Sequence, residues 1–335
     1  MKVLVTGGLG TVGKAVVTRL VAGGYAVRVI DRLPQASVEG AEYACCDIED
    51  YPALRSQARD CDAVIHLAAL PQPAMGRADE IYRINTAGTF NVFQAAAEQG
   101  IRRVVHASSI NALGLYWGVQ EVQPRYFPLD EDHPSWTTDA YSFSKWIVED
   151  IGRYFWRREG ISSVALRLPA VLPAQAHAHR AGQPNFAAQL IEHLLKMPDQ
   201  ERMEWLEARY RIFREIRRKR QMEDADFWSR VRDPDSPLDE AARLATVSKY
   251  NFWAVIDERD AAQAFEKALT ASYEGSYPLH VQDRVNWTGV ESELLLKLFF
   301  PEVTARKRPL VGAESLVSLE QARQLIGFEP EFSFA

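Results

Sequence analysis

Thr6-Gly7-Gly8-Leu9-Gly10-Thr11-Val12-Gly13 follows the β-branched run Val3-Leu4-Val5 and opens a stretch whose apolar residues are Val12, Val16, Val17, Leu20 and Val21. A short apolar run, a glycine turn and a helical apolar stripe predict a strand, a tight loop and a helix. In such a unit Gly7, Gly10 and Gly13 permit a tight turn, close approach of backbone to a pyrophosphate, and close packing of helix on strand. Thr11 and Val12 stand at the helix start, where a dinucleotide phosphate is expected. The Gly-x-x-Gly-x-x-Gly spacing is tighter than the dehydrogenase fingerprint Gly-x-Gly-x-x-Gly. Gly23-Gly24 supplies the helix stop.

Working outward, Ala26-Val27-Arg28-Val29-Ile30, Ala63-Val64-Ile65, Val104-Val105 and Val164-Ala165-Leu166 repeat the buried-strand pattern, with amphipathic stretches between them. The alternation predicts an α/β fold, a Rossmann-type doubly wound parallel sheet with right-handed crossovers. Residues 1–173 are expected to form this dinucleotide-binding domain, with parts of 250–285 returning to it. Residues 174–335 are expected to form a smaller, mostly helical substrate lobe. It includes a charged helical insertion at about 186–232, with Leu206, Tyr210, Phe213 and Ile216 on its apolar stripe. Asp233-Pro234-Asp235-Ser236-Pro237 ends that insertion.

Composition narrows the function classes. The chain has 335 residues, 47% apolar and 25% charged, with a net charge of −6. That balance gives no reason to expect nucleic acid or an anionic membrane as partner. Arg217-Arg218-Lys219-Arg220 is flanked by Glu215, Glu223 and Asp224 and reads as a solvated helix face. No apolar run is long enough to span a bilayer. Met1-Lys2 leads straight into the first strand, so no signal peptide is expected. Cys45, Cys46 and Cys61 lack Cys-x-x-Cys spacing, and His177-Ala178-His179 lacks a third ligand, so no disulfide and no metal site are expected. A cytoplasmic location follows.

Three further features carry chemistry. Asp31 ends the second strand, where a carboxylate accepts hydrogen bonds from the ribose hydroxyls of NAD and repels a 2′-phosphate. Arg32 beside it would tolerate that phosphate, so NAD is expected ahead of NADP. In Tyr141-Ser142-Phe143-Ser144-Lys145, Tyr141 and Lys145 are four apart and share a helix face. A nearby ammonium favours phenolate and lets Tyr141 exchange a proton with a substrate hydroxyl. Ser109 follows the strand Arg103-Val104-Val105-His106-Ala107, at the sheet edge where α/β proteins bind ligands. There its hydroxyl can orient a reacting oxygen.

Taken together, these residues resemble the extended short-chain dehydrogenase/reductases, the NAD-dependent epimerase/dehydratase family. Thr6 to Gly13 is similar to the family's cofactor turn, Asp47-Ile48 to its adenine-side acidic pair, and His66-Leu67-Ala68-Ala69 to its fourth-strand motif. Asn85-Thr86-Ala87-Gly88-Thr89 resembles its central-helix Asn segment, and Ser109, five before Gly114, stands where the family keeps a catalytic Ser or Thr. Val255-Ile256-Asp257-Glu258-Arg259-Asp260-Ala261-Ala262 and Leu325-Ile326-Gly327-Phe328-Glu329-Pro330 resemble its late landmarks. The resemblance implies Ser109, Tyr141 and Lys145 as catalytic residues. It implies cofactor contacts from Asp47, Ile48, Leu67, Ala68, Ala69 and Asn85, with Tyr141 and Lys145 again. Ile110, Asn111 and Arg167, with Ser109, are the candidates on the substrate side.

Departures bear on the substrate. Arg167-Leu168-Pro169-Ala170-Val171-Leu172-Pro173 has Ala170 where nucleotide-sugar epimerases usually carry a diphosphate-binding Asn. Leu113-Gly114 replaces the usual Tyr-Gly. The stretch from Ser108 to Tyr116 resembles the aldose and uronate dehydrogenase branch instead. Trp117, Tyr126 and Trp136 lie between Ser109 and Tyr141, where they could line a sugar-stacking pocket or pack beneath a loop. The implied activity is NAD-dependent hydride transfer on a carbohydrate-like secondary alcohol or hemiacetal, a sugar or sugar acid. The alternatives are a nucleotide-sugar epimerase that recycles a tightly bound NAD, and a dinucleotide-sensing protein without catalysis. Phe143, Trp146, Ile147, Ile151, Tyr154 and Phe155 give the Tyr141 helix more apolar surface than one face can bury. Family members often dimerise there, which implies a homodimer.

Overall fold

The computed structural model describes residues 1–34, 36–176, 185–233, 236 and 238–334. Seven strands form one parallel sheet: β1 (Lys2–Thr6), β2 (Ala26–Asp31), β3 (Glu42–Cys45), β4 (Ala63–His66), β5 (Arg103–Ser109), β6 (Ser162–Leu168) and β9 (Ser276–His280). The order across the sheet is β3-β2-β1-β4-β5-β6-β9, while β7 (Ala170–Leu172) and β8 (Val255–Asp257) pair separately. The strands run outward from β1 to β3 on one side and from β4 onward on the other, so the strand order reverses between β1 and β4, and a crevice opens at the carboxyl ends of strands at such a switch.

Helices cover both faces. α1 (Thr11–Ala22), α2 (Tyr51–Gln57), α3 (Ala78–Glu98) and α4 (Ala140–Glu159) accompany the first six strands. Strand alternation sorts them. Val3 and Val5 face a core built with Val16, Val17 and Leu20 of α1, whereas Leu4 faces one built with Leu54 of α2, Phe93 of α3 and Phe155 of α4. After β7 come α5 (Phe186–Lys196), α6 (Asp199–Arg218), α7 (Phe227–Arg232) and α8 (Glu240–Arg243). Their apolar stripes pack into two further clusters: Leu206 joins Trp253, Phe299 and Phe300, and Phe213 and Ile216 join Tyr116, Trp117 and Tyr141.

α9 (Glu258–Thr270) returns to the sheet and packs Ala261, Ala264, Phe265 and Ala268 beside α1. α10 (Ser292–Phe299) belongs to the Trp253 cluster, and α11 (Glu320–Ile326) follows. Two placements depart from the sequence reading. Leu319, Ala322, Ile326 and Phe328 pack into the sheet core instead of the lobe, because their spacing gives α11 one apolar face that the α1 and α9 side accepts. Arg217, read as part of a solvated face, is 2% exposed. Its guanidinium donates to the carbonyls of Gln120 at 3.0 Å and Leu115 at 3.2 Å, while Arg218, Lys219 and Arg220 stay exposed. Among the described residues no helix is long and apolar enough to cross a membrane.

Candidate active site

A cavity of about 700 Å³ occupies the switch-point crevice. Gly7 sits at φ +70°, and a Cβ there would lie 2.5 Å from the Ala68 amide nitrogen, so only glycine fits between the first and fourth strand ends. Gly13 touches the turn itself: a Cβ would lie 2.3 Å from the Gly7 carbonyl oxygen. Gly10 caps α1 without any side-chain hydrogen bond, and the helix start at Thr11 and Val12 lines the cavity. Unsatisfied helix N–H groups beside a glycine turn suit a phosphate. This cradle fits a dinucleotide.

Asp31, Arg32, Asp47 and Ile48 line one end of the cavity. Asp31 accepts from the Leu9 amide at 3.2 Å and the Arg32 amide at 2.8 Å, which fixes its carboxylate at the mouth. Leu67, Ala68 and Ala69 line the middle. Their loop is held by Thr6, whose hydroxyl accepts from the Leu67 and Ala68 amides, and whose own partner is the buried His66 ring at 2.7 Å.

At the other end stand Ser109, Tyr141 and Lys145, exposed by only 4%, 5% and 4%. Asp139 caps α4 by accepting from the Ser142 amide at 2.8 Å, so Tyr141 lies in the first turn and Lys145 one turn on. The Lys145 ammonium donates to the Ala107 carbonyl at 3.0 Å and lies 5.9 Å from the Tyr141 ring centre. Burial pulls Lys145 down to about 8, with Glu149 acting in the opposite direction. Burial also pushes the Tyr141 phenol up to about 12, against the hydrogen-bonding effect of Ser109. The lowering expected from Lys145 does not prevail in this geometry, because the ammonium is turned to Ala107 and the phenol is desolvated.

Ser109 accepts from the Asn111 amide nitrogen at 3.2 Å and side-chain nitrogen at 3.1 Å, and donates to the Leu168 carbonyl at 3.4 Å. Asn111 lines the cavity too, and its side-chain oxygen is buried without a partner. The arrangement offers a phenol that can exchange a proton, a hydroxyl that can hold an oxygen, and a free acceptor beside them.

Three expected site residues sit elsewhere. Asn85 lies behind the wall, joined to both backbone groups of Leu70 and donating to the Ser144 hydroxyl at 3.0 Å, so it clips the cofactor loop to α4. Ile110 is buried in the lobe cluster with Leu113 and Phe127. Arg167 points under the sheet edge into a bidentate pair with Glu149. Of the three aromatic candidates, Trp117 lines the cavity, Tyr126 bonds Asp130, and Trp136 is 59% exposed. Gln72, Trp228, Asn251 and Trp287 line the cavity without any sequence signal, since they arrive from loops and the insertion with no motif around them. Among the described residues no group of three or more His, Cys, Asp or Glu could hold a metal, and His177-Ala178-His179 lies outside the described residues.

The model of the NAD dependent epimerase/dehydratase family matches residues 3–210. This chain belongs to that family. The uronate dehydrogenase of Pseudomonas putida is 29% identical over 174 residues, a match covering 51% of this chain and 62% of that protein. The UDP-glucose 4-epimerase of Mus musculus is 30% identical over 199 residues, covering 53% and 55%. The chain therefore spans less than two thirds of the length of either relative. A solved short-chain dehydrogenase/reductase superfamily protein of Agrobacterium tumefaciens with bound NAD aligns over 100% of this chain and 94% of its own, at TM-score 0.63 and 24% identity, and so shares the fold.

Proposed function

We propose that this family member is an NAD-dependent oxidoreductase of a carbohydrate-like secondary alcohol or hemiacetal. The observation that carries the reading is that Ser109, Tyr141 and Lys145 converge, almost fully buried, on the cavity whose other end is the glycine cradle with Asp31. NAD, when bound, accepts the hydride and its electron pair. Ser109 holds the reacting oxygen, and Tyr141 takes its proton as the carbon–oxygen bond becomes double. Lys145 carries the positive charge that favours the phenolate once its ammonium turns from Ala107. Asp31 at the mouth favours NAD over NADP.

Both relatives act on sugars by name, which supports the substrate class. Epimerisation with recycled NAD is the second reading, and the epimerase relative favours it. Ala170, which lines the cavity, offers no side-chain donor to a diphosphate. The binding-only reading has nothing in its favour, since Tyr141 and Lys145 are both in place. We place the protein in the cytoplasm, consistent with three free thiols at Cys45, Cys46 and Cys61. We also propose a homodimer through α3 and α4, which expose Tyr82, Phe90, Phe143, Trp146 and Tyr154 in one aromatic patch with Tyr82 stacked on Phe143. A monomer in sedimentation would remove it.

The test of the chemistry is Tyr141→Phe. Turnover should fall at least a thousandfold while NAD binding, read by calorimetry, stays within twofold. Retained turnover would sink the mechanism. Net NADH with one free sugar or sugar acid would separate dehydrogenation from internal recycling.

A further inference from the structure

The substrate half of the cavity is walled by aromatic rings from distant parts of the chain. Tyr116 and Trp117 pack with ring centres 4.5 Å apart, and Trp228 of α7 meets Trp117 edge-on at 5.8 Å and 85°. The Trp228 indole N–H donates to the Gln72 side-chain oxygen at 3.0 Å, which ties the insertion to the loop following β4. Arg217 of α6 pins the other side by binding the carbonyls of Leu115 and Gln120, on either side of Tyr116 and Trp117. The insertion thus builds this wall and holds it from two directions.

Charge is distributed unevenly over the same cavity. Among the described lining residues the only cations are Arg32 and Lys145. Arg32 follows β2, which β1 and β4 separate from β5, the strand that ends at Ser109. Lys145 stands beside Tyr141 at the reacting end, where the proposed chemistry employs its charge. Arg167, the guanidinium closest in sequence to the cavity residues Leu168 to Val171, is committed to Glu149. A carboxylate or phosphate on the substrate would therefore lie against negative ring faces with no counter-charge from the described residues of this wall, an unfavourable arrangement. The polarised C–H face of a sugar ring suits those faces, and the unpartnered Asn111 oxygen needs a hydroxyl donor.

We propose that the substrate is an uncharged monosaccharide, laid against the Trp117–Trp228 wall with one hydroxyl donating to Asn111. This selectivity rests on the oxidoreductase reading above and names its substrate class. The insertion acts as the specificity element, with Trp228 as a specificity-determining residue.

The test uses the full chain with NAD and matched triplets: D-galactose, D-galacturonate and D-galactose 6-phosphate, and the same set for D-glucose. NADH formation gives kcat/KM, and quenching of tryptophan fluorescence in the presence of NAD gives binding independently of turnover. The neutral sugar should exceed both charged forms at least a hundredfold in whichever readout responds. Equal or better use of a uronate or phosphate overturns the proposal, as does absence of binding by every neutral sugar. Neutral sugars that bind without NADH would overturn the dehydrogenase reading and leave the selectivity standing. Trp228→Ala should raise KM for the neutral sugar at least tenfold with NAD affinity unchanged, and Trp228→Phe should restore most of it. An unchanged KM in both variants, with normal folding, would overturn the role of Trp228.

Discussion

Arg167 grips Glu149 through two parallel N–H···O bonds of 2.9 and 2.8 Å, with both side chains almost wholly buried at 4% and 1% exposure. Glu149 also accepts from the Ser108 hydroxyl at 2.7 Å, so the pair sits directly under the residue that precedes Ser109. Breaking such a pair strands a charge, whereas replacing both members with apolar groups removes the problem. Arg167→Met is therefore expected to lose about 3–5 kcal/mol of stability. Arg167→Met with Glu149→Leu should lose less than the single variant despite carrying two changes. Urea unfolding measures both. A double variant weaker than the single would show that the pair itself stabilises the fold.

The glycine turn separates a packing role from a binding role. A Cβ at Gly13 would press 2.3 Å from the Gly7 carbonyl and 2.7 Å from the Gly8 Cα, and backbone cannot yield as a flexible side chain does. Gly13→Ala should cost roughly 1–3 kcal/mol or more. At Gly10 the nearest neighbour is the Gly7 carbonyl at 3.4 Å, an ordinary contact. Gly10→Ala should keep its melting temperature within a few degrees and weaken NAD at least tenfold. Calorimetric scanning with NAD titration checks the pair, and a Gly10→Ala protein with native affinity would move the phosphate away from this turn.

How legible the protein was in its sequence follows from where each signal lives. Strands such as Val3-Leu4-Val5 are buried on both faces and flanked by turn residues, so local pattern suffices. The glycine turn and the Tyr141–Lys145 pair stood out in the sequence because each lies within one turn or one helix, and Asp31 and Ser109 because each ends a strand, at β2 and β5. Arg167 looked like a substrate contact because the family resemblance places its segment near the site but says nothing of its rotamer, and only the fold brings Glu149 within reach. Gln72, Trp228 and Trp287 are far apart in sequence and meet by tertiary packing alone, so no window of the chain contains their relation.

Asp31 and Arg32 are adjacent at the cavity mouth, and on the proposed reading they set cofactor choice. The Asp31 carboxylate repels a ribose 2′-phosphate, and the exposed Arg32 would attract it once that repulsion is gone. Asp31→Ser keeps a small hydrogen-bonding group for the Leu9 amide and removes the charge. The ratio of kcat/KM for NADP to that for NAD should rise at least tenfold. Asp31→Ser with Arg32→Ala should give back most of that gain. A ratio that does not move would place the adenine ribose away from this strand end.

Lys145 gives the protein a pH signature that a merely structural lysine on the surface would lack. Its value falls from the ordinary 10.5 to about 8 because burial penalises the ammonium more than Glu149 favours it. The folded chain therefore releases this proton at lower pH than the unfolded chain does. Between pH 8 and 10.5 the unfolded state binds more protons, so this group's contribution to stability rises with pH across that window. Below pH 8 the penalty is fully present, on the order of 3 kcal/mol at roughly 1.4 kcal/mol per unit. Lys145→Met keeps the length and removes the charge. It should be more stable than the native protein at pH 7, with the gap closing between pH 8 and 10.5, while turnover is lost at every pH. Urea unfolding at a series of pH values reads the gap. A difference that is constant with pH would mean that Lys145 titrates normally in the folded protein.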